Sequence, residues 1–151
     1  MTWLIVAIVC TVLYVFLRSR PAGKTNAPVG DLPGPGAYGV DIVGESKYQD
    51  SLERICGGRE EESARKKVKA LLVLEDENPH DNKAVRVDID GETVGYLARR
   101  EARQYRARLK EAGYPSLLGR CDAIIVGGWE RGRGDRGHFG VKLDLPTGDD
   151  S

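Results

Sequence analysis

From residue 38 onward, apolar and polar residues alternate in runs that are typical of strands. The segments 64–77, 83–90 and 91–98 each place apolar residues at every second position over part of their length, as half-buried strands do. Asp90-Gly91 separates the last two segments and predicts a hairpin turn between them. The same pattern predicts three further strands, at 38–46, 119–130 and 137–145.

Two segments show helical spacing instead. The first, 47–58, is short and ends at Gly57-Gly58, a pair that stops helices. The second, 98–112, has the clearest apolar stripe of the chain: Ala98, Ala102, Tyr105, Leu109 and Ala112. The element order β-α-β-β-β-α-β-β predicts a mainly β domain with two helices, either a small barrel or an α+β sheet, over residues 40–145.

The flanks of this domain have different compositions. Residues 1–17 carry no charged side chain and would span about 25 Å as a helix, which fits a transmembrane anchor. A cleaved signal peptide is the alternative, but no positive charge precedes the apolar run, whereas Arg18, Arg20 and Lys24 follow it. Residues 18–39 are rich in Pro and Gly and predict a mobile linker, and 146–151 form an acidic tail.

Charge and cysteine content exclude several classes of function. The chain has 23 basic and 23 acidic residues, so no global field favours nucleic acid or a membrane surface, and any such binding needs a local patch. Three cysteines far apart and two histidines fit neither a zinc site nor a disulfide framework. We therefore expect no cofactor, no metal site and no small-molecule substrate.

A local basic patch exists on the second predicted helix. Its members share one stripe at helical spacing: Arg99, Arg103, Arg106 and Lys110. Such a stripe suits the phosphates of a nucleic-acid strand, because each neutralised phosphate releases counterions. It is equally typical of a solvated helix face, which Glu101 and Glu111 would partly balance.

The corner between the third and fourth predicted elements, Glu75–Val87, brings together scarce functional groups. Asn78, His80 and Asp81 lie in one turn, where a histidine can stack on a base and an aspartate can accept a hydroxyl hydrogen bond. Alternatively, Asp81 only caps the turn and His80 faces water. The acids of the corner fit no metal-binding spacing and have no identifiable partner base or nucleophile, so a nuclease is the weakest hypothesis.

Three motifs in order resemble the HIRAN domain family. They are "VGESKYQ" (43–49), "LEDENPHDNKAVRV" (74–87) and "VGYLARREA" (94–102), which are similar to the family patterns V-G-x-x-x-Y, N-P-Y-D-x-N-A-V-x-V and V-G-[HY]-L. The resemblance covers about residues 40–145. It implies an OB-like β-barrel with two helices and a pocket for the 3′ end of single-stranded DNA.

The resemblance also implies roles for individual residues. Tyr48, His80 and Tyr96 would line the pocket, Asp81 would bond the terminal 3′-hydroxyl, and Arg99 would contact a phosphate. Three positions depart from the family pattern: His80 stands for a tyrosine, Ser46-Lys47 for an arginine–aromatic pair, and Asn82-Lys83 for an x-Asn order. These departures remove part of the stacking surface, which contributes about 1–3 kcal/mol per base in proteins that bind single strands.

The sequence thus predicts a single-pass membrane protein of bacterial type, with its N-terminus outside and a non-enzymatic, nucleic-acid-binding domain in the cytoplasm. The expected ligand is single-stranded DNA or a DNA 3′ end. The residues expected to bind it are Lys47, Tyr48, His80, Asp81, Tyr96, Arg99, Arg103 and Arg106. The alternative is an adaptor domain that binds a protein partner at the membrane and no nucleic acid.

Overall fold

The computed structural model describes residues 28–147, which contain seven strands and two α-helices. In chain order the elements are β1 (Val29–Asp31), β2 (Val40–Val43), a 3₁₀ turn (Glu45–Lys47), α1 (Gln49–Cys56), β3 (Ala64–Leu74), β4 (Val85–Ile89), β5 (Glu92–Leu97), α2 (Arg99–Glu111), β6 (Leu118–Gly127) and β7 (Phe139–Leu143). The transmembrane segment predicted at 1–17 lies outside the described residues, as do the last four residues of the acidic tail. Between residues 28 and 147, no helix has both the length and the apolar character needed to cross a bilayer.

Six of the strands form a closed antiparallel barrel. The order is β6-β3-β4-β5-β2-β7, and pairing of β7 with β6 completes the ring. The longest pairing joins β3 to β6 over nine residues, from Ala64↔Gly127 to Leu72↔Gly119. The predicted mainly β fold with two helices is therefore confirmed, and the closed ring is consistent with an OB-like barrel.

The barrel interior is filled by the apolar residues of the alternating strands. Val85, Val87 and Ile89 of β4 face inward together, as their spacing in the sequence predicts. The hairpin predicted at Asp90-Gly91 is also present, with φ of 50° and 77°, the left-handed pair that tight hairpins require. The other fully buried large side chains are Leu52, Leu72, Val94, Cys121, Ile125, Val141 and Leu143.

The two helices contribute apolar faces to this core. α1 buries Leu52 and Ile55 and ends at Gly57, whose φ of 78° lets its N–H cap the helix by bonding the Arg54 carbonyl. α2 buries the central part of its predicted stripe, Ala102, Tyr105 and Leu109. Tyr105 reaches β6 at Gly119, where any Cβ would collide with its hydroxyl, so glycine is required there for close packing.

The predicted linker ends earlier than residue 39. β1 lies within it and pairs in parallel with β6, from Val29↔Leu118 to Asp31↔Arg120. The Arg120 guanidinium also binds the Asp31 carboxylate at 2.7 Å. A three-residue strand with a single large apolar residue carries no detectable period, so the sequence pattern could not reveal it.

The segment after β1 is held by a buried carboxylate. Asp144, 5% exposed, accepts hydrogen bonds from the backbone N–H groups of Gly36 (2.8 and 3.1 Å) and Tyr38 (3.3 Å). Gly34 packs so closely against Asp144 that a Cβ there would collide with it. The Asp144 carboxylate therefore holds the loop between β1 and β2 through the amides of Gly36 and Tyr38.

Replacing Asp144 with Ala is expected to lower the free energy of unfolding by about 1–3 kcal/mol, because the Gly36 and Tyr38 amides lose their acceptor. Urea denaturation measures this, and hydrogen exchange should quicken at Gly36 and Tyr38. The matched control is Asp41→Ala, which removes an exposed ion pair with Lys142 (2.7 Å) and should cost less than about 1 kcal/mol. Equal losses in both variants would contradict a special role for Asp144.

Candidate functional site

The corner between β3 and β4 is a turn that its own side chains organise. The Asn78 Oδ1 atom accepts hydrogen bonds from the backbone N–H groups of His80 (2.9 Å) and Asp81 (3.2 Å). Pro79 lies between Asn78 and His80, where its missing N–H is not needed. At the base of the corner, the Glu75 N–H donates to the Ala84 carbonyl at 3.0 Å. The corner is therefore a fixed platform for His80 and Asp81.

Asp81 is the point at which the corner meets α2. One carboxylate oxygen accepts the Lys83 N–H at 3.0 Å, while Arg103 approaches the carboxylate at 3.4 Å and Arg99 at 3.8 Å. The Lys83 hydrogen bond, followed by the Arg103 and Arg99 charges, lowers the pKa of Asp81. Asp81 is thus a carboxylate at neutral pH, as the predicted hydroxyl acceptor must be.

The two arginines around Asp81 remain open to solvent. The Arg99 side chain is 78% exposed and that of Arg103 is 51% exposed, and their distances to Asp81 are those of loose ion pairs. Arg103 also donates to the Arg99 carbonyl, which directs it along the helix. Both guanidinium groups could therefore bind an added anion without unfolding any local structure.

Arg106 has a different position from the rest of the stripe. Its guanidinium donates to the carbonyls of Lys83 (2.8 Å) and Ala84 (2.9 Å) and pairs with Asp76 at 2.6 Å. Its side chain is only 15% exposed. We had expected Arg106 to bind nucleic acid, but every donor nitrogen of its guanidinium already has a protein acceptor. Arg106 fastens α2 to the corner.

A tyrosine pair lies beside the corner. Tyr96 in β5 is in register with Arg86 in β4 and with Val43 in β2, and Tyr48 follows the 3₁₀ turn that packs on β5. Burial raises the pKa of Tyr96, as do its hydrogen bonds with Glu75 and Tyr48. Tyr96 is therefore neutral at pH 7, and its hydrogen bond with Tyr48 places the two predicted pocket tyrosines side by side.

Glu75 connects the tyrosine pair to the turn. Its carboxylate reaches the Asn78 amide at 3.5 Å and the Arg86 guanidinium at 3.6 Å, and Arg86 in turn binds Asp88 at 2.8 Å. In the sequence, Glu75 is one of the corner acids that fit no metal-binding spacing, and this pattern assigns it no structural role. The β3–β4 register could have suggested it, because the hairpin places Glu75 close to Arg86.

Two predicted residues stay outside this arrangement. His80 is exposed, and among the described residues its imidazole has no hydrogen-bonding or charged partner. Lys47 ends the 3₁₀ turn, is exposed, and forms no ion pair with any residue between 28 and 147. The structure therefore brings together Tyr48 with Tyr96, and Asp81 with Arg99 and Arg103, while His80 and Lys47 extend from the neighbouring loops into solvent.

The first part of the corner has an acidic surface. A shallow depression of about 470 Å³ is lined by residues 74–79, which include Glu75, Asp76 and Glu77. Across residues 28–147, no group of three or more His, Cys, Asp or Glu side chains is placed to hold a metal ion. The site thus combines an arginine-flanked aspartate, two tyrosines and an acidic border.

No family model, no curated protein and no solved structure matches this chain. The class of site is therefore defined by its geometry: an open, charged corner with aromatic neighbours at one end of a small β-barrel.

Proposed function

We propose that this chain is a membrane-anchored, non-enzymatic module of the HIRAN type that binds single-stranded nucleic acid, with DNA 3′ ends as the preferred ligand. The observation that supports it most is the convergence of Arg99 and Arg103 on Asp81, beside the pair Tyr48 and Tyr96. Charge, stacking surface and a hydroxyl acceptor then lie within one corner, which is the set of groups that a strand end requires.

Binding proceeds by exchange of ion-pair partners. A phosphate of the incoming strand replaces Asp81 as the ion-pair partner of the exposed guanidinium groups of Arg99 and Arg103. Breaking the two ion pairs with Asp81, which have long separations of 3.4 and 3.8 Å, costs little free energy, because exposed ion pairs contribute little to stability. Asp81, held in place by the Lys83 N–H, then accepts the terminal 3′-hydroxyl.

The bases stack where aromatic rings are available. Tyr48 and Tyr96 supply a fixed surface, and His80 supplies a smaller ring on the exposed turn. Lys47, next to Tyr48, meets a phosphate further along the strand. Residues 1–17 anchor the module with its N-terminus outside, which puts the barrel in the cytoplasm.

A modified strand end tests this mechanism. The full chain in detergent or nanodiscs is titrated with labelled single-stranded DNA that ends in a 3′-hydroxyl or a 3′-phosphate, and fluorescence anisotropy is measured. The 3′-phosphate is expected to weaken binding about tenfold, because it brings a second anion against Asp81. A 5′-phosphate is the matched control and should have little effect.

Three outcomes separate the parts of the proposal. Equal affinity for the two 3′ ends would contradict end recognition, and no binding even at low salt would contradict nucleic-acid binding altogether. Binding should be the same with and without a chelator, and the DNA should stay intact in both cases. Cleavage of the DNA that the chelator abolishes would contradict the non-enzymatic role.

A second function, docking of a protein partner at the membrane, is favoured by the acidic border of the corner. The exposed carboxylates of Asp76 and Glu77 would repel a phosphate backbone that passed over them, but they suit a basic peptide. A pull-down from membranes with and without nuclease distinguishes the two functions. Partners that survive nuclease treatment favour the adaptor, and partners that disappear favour the nucleic-acid module.

A further inference from the structure

One end of the barrel receives the chain from residues 1–27. At this end, the Pro28 carbonyl accepts a hydrogen bond from the Leu118 N–H at 3.0 Å. Leu118 directly follows the loop 112–117, which joins α2 to β6. Leu117 packs onto Gly30. The entry point of the chain and this loop therefore form one continuous surface.

This surface exposes apolar side chains. Three large hydrophobic residues are exposed within residues 28–147: Val29 (53%), Val43 (46%) and Tyr114 (61%). Val29 lies in β1 directly after Pro28, and Tyr114 lies in the 112–117 loop, so two of the three belong to the entry end. Pro115, next to Tyr114, is exposed as well.

Backbone hydrogen bonds hold Tyr114 in position. Its N–H donates to the Leu109 carbonyl at 2.9 Å, and its carbonyl accepts the Leu117 N–H at 3.1 Å. Gly113, with φ of 84°, makes the left-handed turn that ends the helix and turns the chain outward. An exposed tyrosine on a rigid turn is presented at low entropic cost, since little freedom is left to lose.

Two exposed charged residues, Lys110 and Glu111, precede Tyr114 at the end of α2. Lys110, one helical turn earlier, is exposed and has no ion-pair partner in the part of the chain that the structure describes. Tyrosine favours the headgroup region, where its ring is apolar and its hydroxyl is hydrated, and lysine can extend its ammonium to lipid phosphates.

The length of the chain before Pro28 brings a bilayer to this surface. Ten residues, 18–27, separate the apolar segment 1–17 from Pro28, and ten residues span at most about 36 Å. A tether of this length keeps the entry end at a high effective concentration next to the membrane, so even a small contact surface is sufficient.

We propose that the entry end, defined by Val29, Lys110 and Tyr114, rests on the lipid surface and fixes the orientation of the barrel. This inference rests on the anchoring part of the proposed function. α2 has 13 residues, about 20 Å, and leads from this end to Arg99 at the corner. β3 runs antiparallel to β6 with Leu72 opposite Gly119, so the corner lies at this same end of the barrel. Contact at Tyr114 therefore places the strand-binding corner beside the lipid surface, about 20 Å along α2 from the contact itself.

The test places the full chain, labelled with ¹⁵N, in nanodiscs that contain gadolinium-chelating lipids. Amide signals at Val29, Lys110 and Tyr114 are expected to lose more than half of their intensity. Those of 131–136 should be retained, because this loop lies at the opposite end of β6. The variant Tyr114→Ser is expected to reduce the loss at Val29 and Lys110 at least twofold. The control Val43→Ser, which removes another exposed apolar residue outside the entry end, should not.

Each failure identifies a different part of the proposal. Equal signal loss at both ends of the barrel, or an unchanged pattern in Tyr114→Ser, would overturn the orientation. A chain that does not float with lipid vesicles would overturn the anchor and this inference together. Concentration-dependent dimerisation that Tyr114→Ser abolishes would assign the surface to a second copy of the chain. DNA affinity should be the same in Tyr114→Ser, so loss of orientation is distinguishable from loss of ligand binding.

Discussion

Replacing Arg99 and Arg103 together with Gln is expected to weaken the binding of single-stranded DNA by about tenfold or more. These two guanidinium groups are the exposed cations at Asp81, so their loss removes the phosphate contacts of the corner. The slope of log K against log salt should become shallower by roughly 1.4, since each phosphate contact on a single strand contributes about 0.7. Anisotropy titrations at several salt concentrations measure both quantities.

The matched control for this double variant is Arg65→Gln with Lys67→Gln. These two cations are exposed as well, but unlike Arg99 and Arg103 they have no ion-pair partner within residues 28–147. They lie near the start of β3, about 30 Å along the strand from the corner. The control removes the same net charge and should leave the slope nearly unchanged. A similar loss in both double variants would mean that general charge, and not the corner, binds DNA.

The elements were predictable because their signals are local. Alternation in β4, the Asp90-Gly91 turn and the α2 stripe each depend on residues close together in sequence, and the structure confirms all three. β1 was missed because its position depends on pairing with β6, almost 90 residues later. No local pattern reports such a pairing.

The site was predictable only in part, for the same reason. Helical spacing places Arg99, Arg103 and Arg106 on one stripe. It does not predict which of these side chains donates hydrogen bonds to backbone carbonyls of another segment. The corner curves over the second turn of α2, so Arg106 meets Lys83 and Ala84 while Arg99 and Arg103 extend past Asp81. Three residues with equal sequence signals therefore have different environments.

This difference gives the last prediction. Replacing Arg106 with Met keeps the length of the side chain but removes its three acceptor contacts, so the free energy of unfolding should fall by about 1.5–3 kcal/mol. The Lys83 carbonyl would lose its charged donor. Because the turn then loosens, DNA binding should also weaken, although Arg106 itself would not touch the strand. Chemical denaturation and anisotropy measure the two effects.

Arg103→Met is the control that distinguishes a residue that stabilises the contact between α2 and the corner from a residue that binds DNA. Its ion pair with Asp81 is long and half exposed, so stability should change by less than about 1 kcal/mol while affinity still falls. The salt slope provides a second criterion: it should become shallower in Arg103→Met and stay near the wild-type value in Arg106→Met, because only the former residue neutralises a phosphate. If Arg106→Met lowered the slope without lowering stability, Arg106 would be a direct contact, and the fastening role assigned to it would be wrong.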